Sequence, residues 1–202
     1  DRHVAVILFS YDVQLLELGG TRMLARQGDD LRDEERLLEA GRGIDPAELT
    51  RASTDLTASV MGLEVSGSTA LGPALCVALG LAAQFEQAEM FVCTDGAANA
   101  GVGRNESVTP ALKAEADEFY RRVGARAQEQ NTTISIIGIE GEHCGLDRLT
   151  VCAEMTSGSV NIVRPLELRR EMRKQAQKRI IAKDVRAFCI ILFLGAHTGF
   201  DR

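Results

Sequence analysis

Short continuous apolar runs alternate with helical patterns along this chain, and the alternation restricts the fold more than any other feature. Residues 4–9 and 90–93 are such runs, and residues 133–139 form a third strand-like stretch that is rich in isoleucine. Apolar runs without polar alternation are typical of strands that are covered on both faces. Helical patterns lie between them, at residues 31–40, 72–85, 110–129 and 146–155. The alternation predicts an α/β fold with a mostly parallel, doubly wound sheet and right-handed crossovers.

Composition removes one class of partner. The 202 residues include no Trp, and aromatic residues make up 4% of the chain. Proteins that bind single-stranded nucleic acid stack the bases on aromatic side chains, so a chain this poor in aromatics does not offer such a platform. We therefore expect no nucleic-acid partner.

Charge is distributed unevenly along the chain. Acidic residues dominate residues 28–48, whereas basic residues dominate residues 164–186, including a predicted helix at 166–180. Two interpretations of the basic segment stay open. It is either a solvated helix face, or a contact surface for a protein partner or an anionic membrane.

The five cysteines occur singly, and no C-x-x-C pair is present. This usage predicts reduced structural thiols. The sequence also contains no signal peptide and no apolar run long enough to span a bilayer. Together these features predict a cytoplasmic location.

Two short stretches carry oxygen ligands. Thr69 follows a glycine turn ahead of an apolar helix, and Asp95 follows the buried strand at residues 90–93. The carboxyl ends of parallel strands meet at one edge of a sheet, so we expect the two side chains to lie close together. Hydroxyl and carboxylate oxygens are ligands that Mg²⁺ prefers. Alternatively, the Asp95 carboxylate caps the turn at residues 96–99.

The order of several motifs resembles that of von Willebrand factor A-like domains. The matching pieces are an F-S-x-D-V strand end at residues 9–13, a threonine loop and helix at 66–79, a T-D-G strand and loop at 90–103, a strand at 133–141 and a closing stretch at 152–168. The threonine loop and the closing stretch point to the trunk-type branch, which occurs in COPII vesicle-coat subunits and in circularly permuted Ras-like proteins. The resemblance covers roughly residues 4–194 and implies a Rossmann-like topology.

This resemblance implies a site as well as a fold. Thr69 and Asp95 match two ligands of a metal-ion-dependent adhesion site, while Ser68, Asn99 and Arg104 would meet a protein partner at the rim of the sheet. The family's Asp-x-Ser-x-Ser segment, which supplies further ligands, does not occur in this sequence. The implied Mg²⁺ site is therefore incomplete and weak, because Mg²⁺ gives up its water only for charged ligands.

The missing segment also affects the domain organisation. Residues 1–180 are predicted to form the domain without its first, central strand. Residues 181–202 contain another apolar run, at 188–194. This run fits either the start of a β-sandwich, as follows trunk domains, or a permuted strand that fills the vacant central position.

Two functions follow from these patterns. The first is a non-catalytic protein–protein interaction module, and hence not an enzyme. The alternative is a scaffolding segment of a larger GTPase of the circularly permuted Ras-like type. Gly101-Val102-Gly103-Arg104 is not expected to bind nucleotide, because it does not join a strand directly to a helix and no Walker lysine follows.

Overall fold

The computed structural model describes residues 3–17, 20–48, 68–94, 98–104, 109–139, 146–167, 170–171, 173–174 and 187–194. Within these residues, eight strands form one sheet. The strands are β1 (His3–Phe9), β2 (Val13–Glu17), β3 (Gly20–Ala25), β4 (Ala47–Glu48), β5 (Gln87–Thr94), β6 (Thr132–Ile139), β7 (Val160–Val163) and β8 (Ala187–Leu194).

The sheet order is β3-β2-β1-β8-β5-β6-β7, with β4 paired to β1 off this path. Strands β1, β8, β5, β6 and β7 are parallel to one another. Strands β2 and β3 form antiparallel pairs at one side of the sheet, and the short β4 is also antiparallel. The predicted α/β class with a mostly parallel sheet is confirmed.

The last described strand lies in the middle of the sheet. Strand β8 pairs in parallel with β1, with Phe9 opposite Leu194, and on its other side with β5, with Met90 opposite Ile190. An apolar run suits this position, because a central strand is covered on both faces. Of the two alternatives for residues 188–194, the structure has the strand inside the sheet. The domain boundary predicted at residue 180 lies outside the described residues.

Four α-helices have both ends within the described residues: α1 (Glu34–Arg42), α2 (Leu71–Ala82), α3 (Pro110–Glu129) and α4 (Asp147–Met155). Local sequence explains where α1 and α3 begin. The Asp33 side chain accepts the backbone N–H of Arg36, and the Thr109 side chain accepts that of Leu112. Such caps satisfy N–H groups that have no partner inside the helix.

All twelve residues of α2 are buried, as its uniformly apolar sequence predicts. The helix packs against the sheet on one side and against α1 on the other. Glycines make the second contact possible. A Cβ atom on Gly41 would overlap the carbonyl oxygen of Val77, and one on Gly80 would overlap that of Leu38. The backbones of α1 and α2 therefore touch directly.

Both faces of the central strands are excluded from solvent. Ile7, Met90 and Ile134 belong to the large core cluster that includes residues of all four helices. Successive side chains of a strand point to opposite faces of the sheet. Phe91 is one residue after Met90 and Ile137 is three after Ile134, so both project to the opposite face. They are also almost fully buried there. Two-sided covering explains why these strands are apolar throughout.

Two local predictions fail. Asp45-Pro46 predicts a helix start, because proline is favoured at the first helical position, but Ala47–Glu48 instead pairs with His3 and Val4 of β1. The favourable helix-start residues were overridden by pairing with a strand that is distant in sequence. Strand β3 was not expected, because its sequence does not alternate between polar and apolar residues, and most of its residues are exposed. Only part of the predicted helix at 166–180 is described, and residues 170–171 and 173–174 are helical there.

Candidate functional site at the carboxyl edge of the sheet

The parallel strands end together at one edge. Phe9 of β1 is opposite Leu194 of β8, and Thr94 of β5 is opposite Gly138 of β6. The loops that follow these strands therefore share one rim. Open α/β sheets bind ligands at this edge, so this rim is the candidate functional site.

Thr69 and Asn99 meet at this rim. The backbone N–H of Thr69 donates to Oδ1 of Asn99 at 2.6 Å, and the Thr69 carbonyl accepts the N–H groups of Asn99 at 3.1 Å and Ala100 at 3.3 Å. Thr69 is 7% exposed. The structure thus brings together two of the residues selected from the sequence, although the contact joins the Asn99 amide to the Thr69 backbone rather than to its hydroxyl.

The threonine loop, residues 68–70, is also hydrogen-bonded to the residue that follows β1. The N–H of Ala70 donates to the carbonyl of Ser10 at 2.7 Å. Since Ser10 directly follows β1 and Asn99 lies in the loop after β5, residues 68–70 bridge the ends of two strands that are separated in the sheet by β8.

Asp12 is a buried acidic residue at the same rim that the sequence did not single out. It is 2% exposed. Nε2 of Gln14 donates to both of its carboxylate oxygens, at 3.0 and 3.1 Å, which satisfies part of the hydrogen-bonding capacity of a buried acid. The signal in the sequence was an acidic residue between two apolar strand segments, but that pattern also fits an exposed turn.

The loop at residues 98–104 covers the amino terminus of α2. The N–H of Val102 donates to the carbonyl of Leu31 at 2.9 Å, and a Cβ on Gly72 would overlap the Val102 carbonyl oxygen. Gly101 and Gly103 have φ of +76° and +69°, a region that favours glycine. A carbonyl therefore occupies the space beside Gly72 in the first turn of α2, so a phosphate cannot approach the helix from that side.

The remaining selected residues are less informative. Ser68 is half-buried, and Arg104 is exposed next to the 98–104 loop. Asp95 lies outside the described residues, directly after Thr94, so its predicted convergence with Thr69 stays a prediction. Among the residues that the structure describes, no group of three or more His, Cys, Asp and Glu side chains could hold a metal ion.

Buried thiols do not supply a nucleophile. Cys76, Cys93 and Cys152 are free and buried, as expected for reduced structural thiols. Burial raises the pKa of each to about 12. Nucleophilic cysteines work as thiolates, so these three groups are inert at neutral pH. Burial also raises the pKa of Tyr120, whose hydroxyl lies in the core.

Comparison with known proteins changes the assignment. No family model matches the chain. Over 192 residues it is 39% identical to circularly permutated Ras protein 1 of Dictyostelium discoideum, a match that covers 92% of this chain and 22% of that protein. The chain therefore spans about a fifth of the relative's length. The sequence that forms this α/β sheet is thus similar to a segment of that protein.

Three predictions are corrected by these findings. The assignment to the von Willebrand factor A-like family is wrong, because no family model matches and the similarity is to a Ras protein. The interpretations as a trunk domain and as a metal-ion-dependent adhesion site depended on that assignment and are wrong as well. The described residues hold no cluster of metal-ligating side chains. The prediction that the protein is not an enzyme is also wrong on this comparison, since Ras proteins as a class are GTPases.

No helix in the described part of the chain is both long enough and apolar enough to cross a membrane. The predicted cytoplasmic location stays a prediction.

Proposed function

We propose that this chain is a scaffolding segment of a larger GTPase of the circularly permuted Ras type. The similarity to circularly permutated Ras protein 1 over 92% of the chain is the observation that carries the proposal. In this role the chain supplies a rigid sheet that supports the nucleotide-binding part of the protein, and GTP is bound and hydrolysed outside these residues.

The position of β8 supports a rigid scaffold. This strand completes the centre of the sheet, between β1 and β5. Because β8 pairs along both of its sides, the segment is stable only when residues far apart in sequence are joined in one sheet.

The closed rim supports a scaffolding role rather than direct nucleotide binding. The Val102 carbonyl occupies the space beside Gly72 at the start of α2, and the hydrogen bonds of Thr69 go to the 98–104 loop. P-loop GTPases bind phosphates with free backbone N–H groups and a lysine, and they use Mg²⁺ to bridge the phosphates. In this proposal Mg²⁺ is a cofactor of the whole protein.

The rim is then the surface that contacts the rest of the protein. Ser68 and Asn99 contribute polar groups there, and the exposed Arg104 contributes a charge. The threonine loop and the 98–104 loop are joined by three hydrogen bonds between Thr69 and residues 99–100. A surface that is already ordered loses little conformational entropy on binding.

GTP binding and hydrolysis measured on two proteins test the proposal. The whole protein is expected to hydrolyse GTP in the presence of Mg²⁺ at a rate on the order of 10⁻⁴ per second or faster. The 202-residue chain alone is expected neither to bind a fluorescent GTP analogue nor to hydrolyse GTP. Hydrolysis by the isolated chain would refute the scaffolding role, and a whole protein that does not bind GTP would refute the Ras assignment.

A trans-binding experiment tests the rim. The 202-residue chain and the remainder of the protein are mixed, and their affinity is measured with Arg104→Glu and with Arg26→Glu. Both arginines are exposed, so the two variants change the net charge equally. Arg104→Glu is expected to weaken binding about tenfold, because it puts a repulsive charge into the interface, while Arg26→Glu leaves the affinity unchanged. Equal affinities of the two variants would show that Arg104 does not lie in the interface and would contradict the proposed contact at the rim.

A further inference from the structure

Two large apolar side chains near the end of the sheet are unusually exposed. Ile162 in β7 is 62% exposed and Leu166, four residues later, is 97% exposed. The other exposed large hydrophobic side chains among the described residues, Tyr11, Met23 and Leu112, are between 37% and 42% exposed. Single exposed apolar side chains are ordinary. Two that project almost freely, so close together in sequence, indicate a contact surface.

A basic stretch begins at the same place. Residues 164–186 contain nine Lys and Arg residues and three Asp and Glu residues, for a net charge of +6, while the whole chain carries −6 and the remainder therefore −12. In the described part of this stretch, Arg170, Arg173 and Lys174 are exposed. Residues 170 and 173 are one helical turn apart and share a face. Glu171 approaches Lys174 at 3.6 Å, which leaves the arginines as the main source of positive charge.

We propose that this patch, formed by Ile162, Leu166, Arg170, Arg173 and Lys174, binds an anionic lipid surface. Charge complementarity selects the partner. Basic side chains near a bilayer are attracted by anionic headgroups, and apolar side chains beside them enter the boundary between headgroups and acyl chains. The acidic remainder of the chain is repelled by the same surface. Binding therefore orients the protein with β7 and the basic segment toward the lipid.

An acidic protein is the competing partner, and the exposed leucine argues against it. A protein would need a groove shaped for Leu166 together with correctly spaced acidic groups. A fluid bilayer accepts an apolar side chain and neighbouring cations at any spacing.

Vesicle flotation tests the proposal. The protein is expected to float with vesicles of phosphatidylcholine and phosphatidylserine at low salt, and not with vesicles of phosphatidylcholine alone. Binding should fall steeply between low and high salt, because exposed charges are screened over about 10 Å at 0.1 M ionic strength. Equal binding to neutral and anionic vesicles, or no binding to either, would overturn the proposal. Binding to soluble poly-L-glutamate without binding to anionic vesicles would overturn it in favour of an acidic protein.

Matched variants locate the contact. Arg170→Glu/Arg173→Glu is expected to weaken vesicle binding by about 25-fold or more, since each basic residue near the surface contributes roughly fivefold. Arg26→Glu/Arg32→Glu changes the net charge equally at other exposed positions and should have little effect. Leu166→Ser is expected to weaken binding about tenfold, and Leu112→Ser serves as its control. All six substitutions in these four variants are on exposed side chains, and circular dichroism checks that each variant folds. Equal losses in the test and control variants would contradict the assigned patch.

Discussion

The two helix pairs on the main core face are joined in different ways. Helices α1 and α2 meet backbone to backbone, with Gly41 against the Val77 carbonyl and Gly80 against the Leu38 carbonyl. Helices α3 and α4 meet through side chains. Cys152 donates to the carbonyl of Tyr120 at 3.1 Å, and Gly124 lies near the sulfur of Met155. A flexible side chain can move aside, whereas a helix backbone cannot. The half of the molecule that contains α1 and α2 should therefore tolerate change least.

The largest expected effect is at the α1–α2 contact. Gly41→Ala should lower the free energy of unfolding by about 3 kcal/mol or more, because the new methyl group overlaps the Val77 carbonyl and forces the helices apart. Gly43→Ala is a matched control two residues away in sequence. Its Cβ would have only ordinary contacts, the nearest at 3.6 Å, and a change within about 0.5 kcal/mol is expected. Urea unfolding of both variants measures the difference, and equal losses would disprove the backbone contact.

The second largest effect is expected in the rates at which the cysteines of the two helix pairs react with a thiol reagent. The pKa of both Cys76 in α2 and Cys152 in α4 is raised to about 12 by burial, so both react only after the protein opens. Cys152 is expected to react about tenfold faster than Cys76 under native conditions, because side-chain contacts open locally at lower free energy. The comparison uses two variants, each with the other four cysteines replaced by serine or alanine. Identical labelling rates would mean that the two halves unfold as one unit.

A smaller effect is expected for Gly124→Ala in α3. The new Cβ would lie 2.8 Å from the Met155 sulfur, at the end of a flexible side chain. Movement of that side chain costs little, and replacing a helical glycine by alanine contributes roughly 0.8–1.0 kcal/mol in favour of folding. We expect a net change of less than about 1 kcal/mol in urea unfolding. If Gly124→Ala lowered the free energy of unfolding as much as Gly41→Ala, the α3–α4 contact would be as rigid as the α1–α2 contact, contrary to this account.

The smallest effect concerns the ion pair between α3 and α4. Arg148 donates to Asp117, and the Asp117 side chain is 50% exposed. Half-exposed ion pairs are screened by water, so Arg148→Ala should cost about 0–1 kcal/mol. The loss should shrink further in 1 M NaCl, where an apolar contribution from the arginine stem would persist. A loss that does not change with salt would show that packing, not charge, is the source.

Sequence periodicity predicted most elements because their residues carry local signals. Thr109-Pro110 marked the start of α3, and the apolar runs marked β1, β5 and β6. Strand β3 lacked such a signal because it lies at the edge with exposed side chains. The local sequence could not show where residues 188–194 lie in the fold, because a strand that is apolar on both faces fits a β-sandwich as well as the centre of a sheet.

The candidate site was predictable only as far as topology determines it. Parallel strand ends bring loops to one edge, so the meeting of the Thr69 and Asn99 loops follows from the strand order. The atoms in contact do not follow from it. The burial of Asp12 and the closing of the α2 amino terminus by Val102 depend on packing between residues that are far apart in sequence, which no local pattern records.

Amide hydrogen exchange of β8 is the most direct test of the continuous sheet on which the scaffolding role rests. Because this strand pairs with β1 and β5 along both sides, its amides are expected to exchange as slowly as those of Val6 and Val92, at rates set by global unfolding. Exchange of the amides in Ala187–Leu194 at the rate of an unfolded peptide, while β1 and β5 remain protected, would contradict a sheet completed by its own last strand.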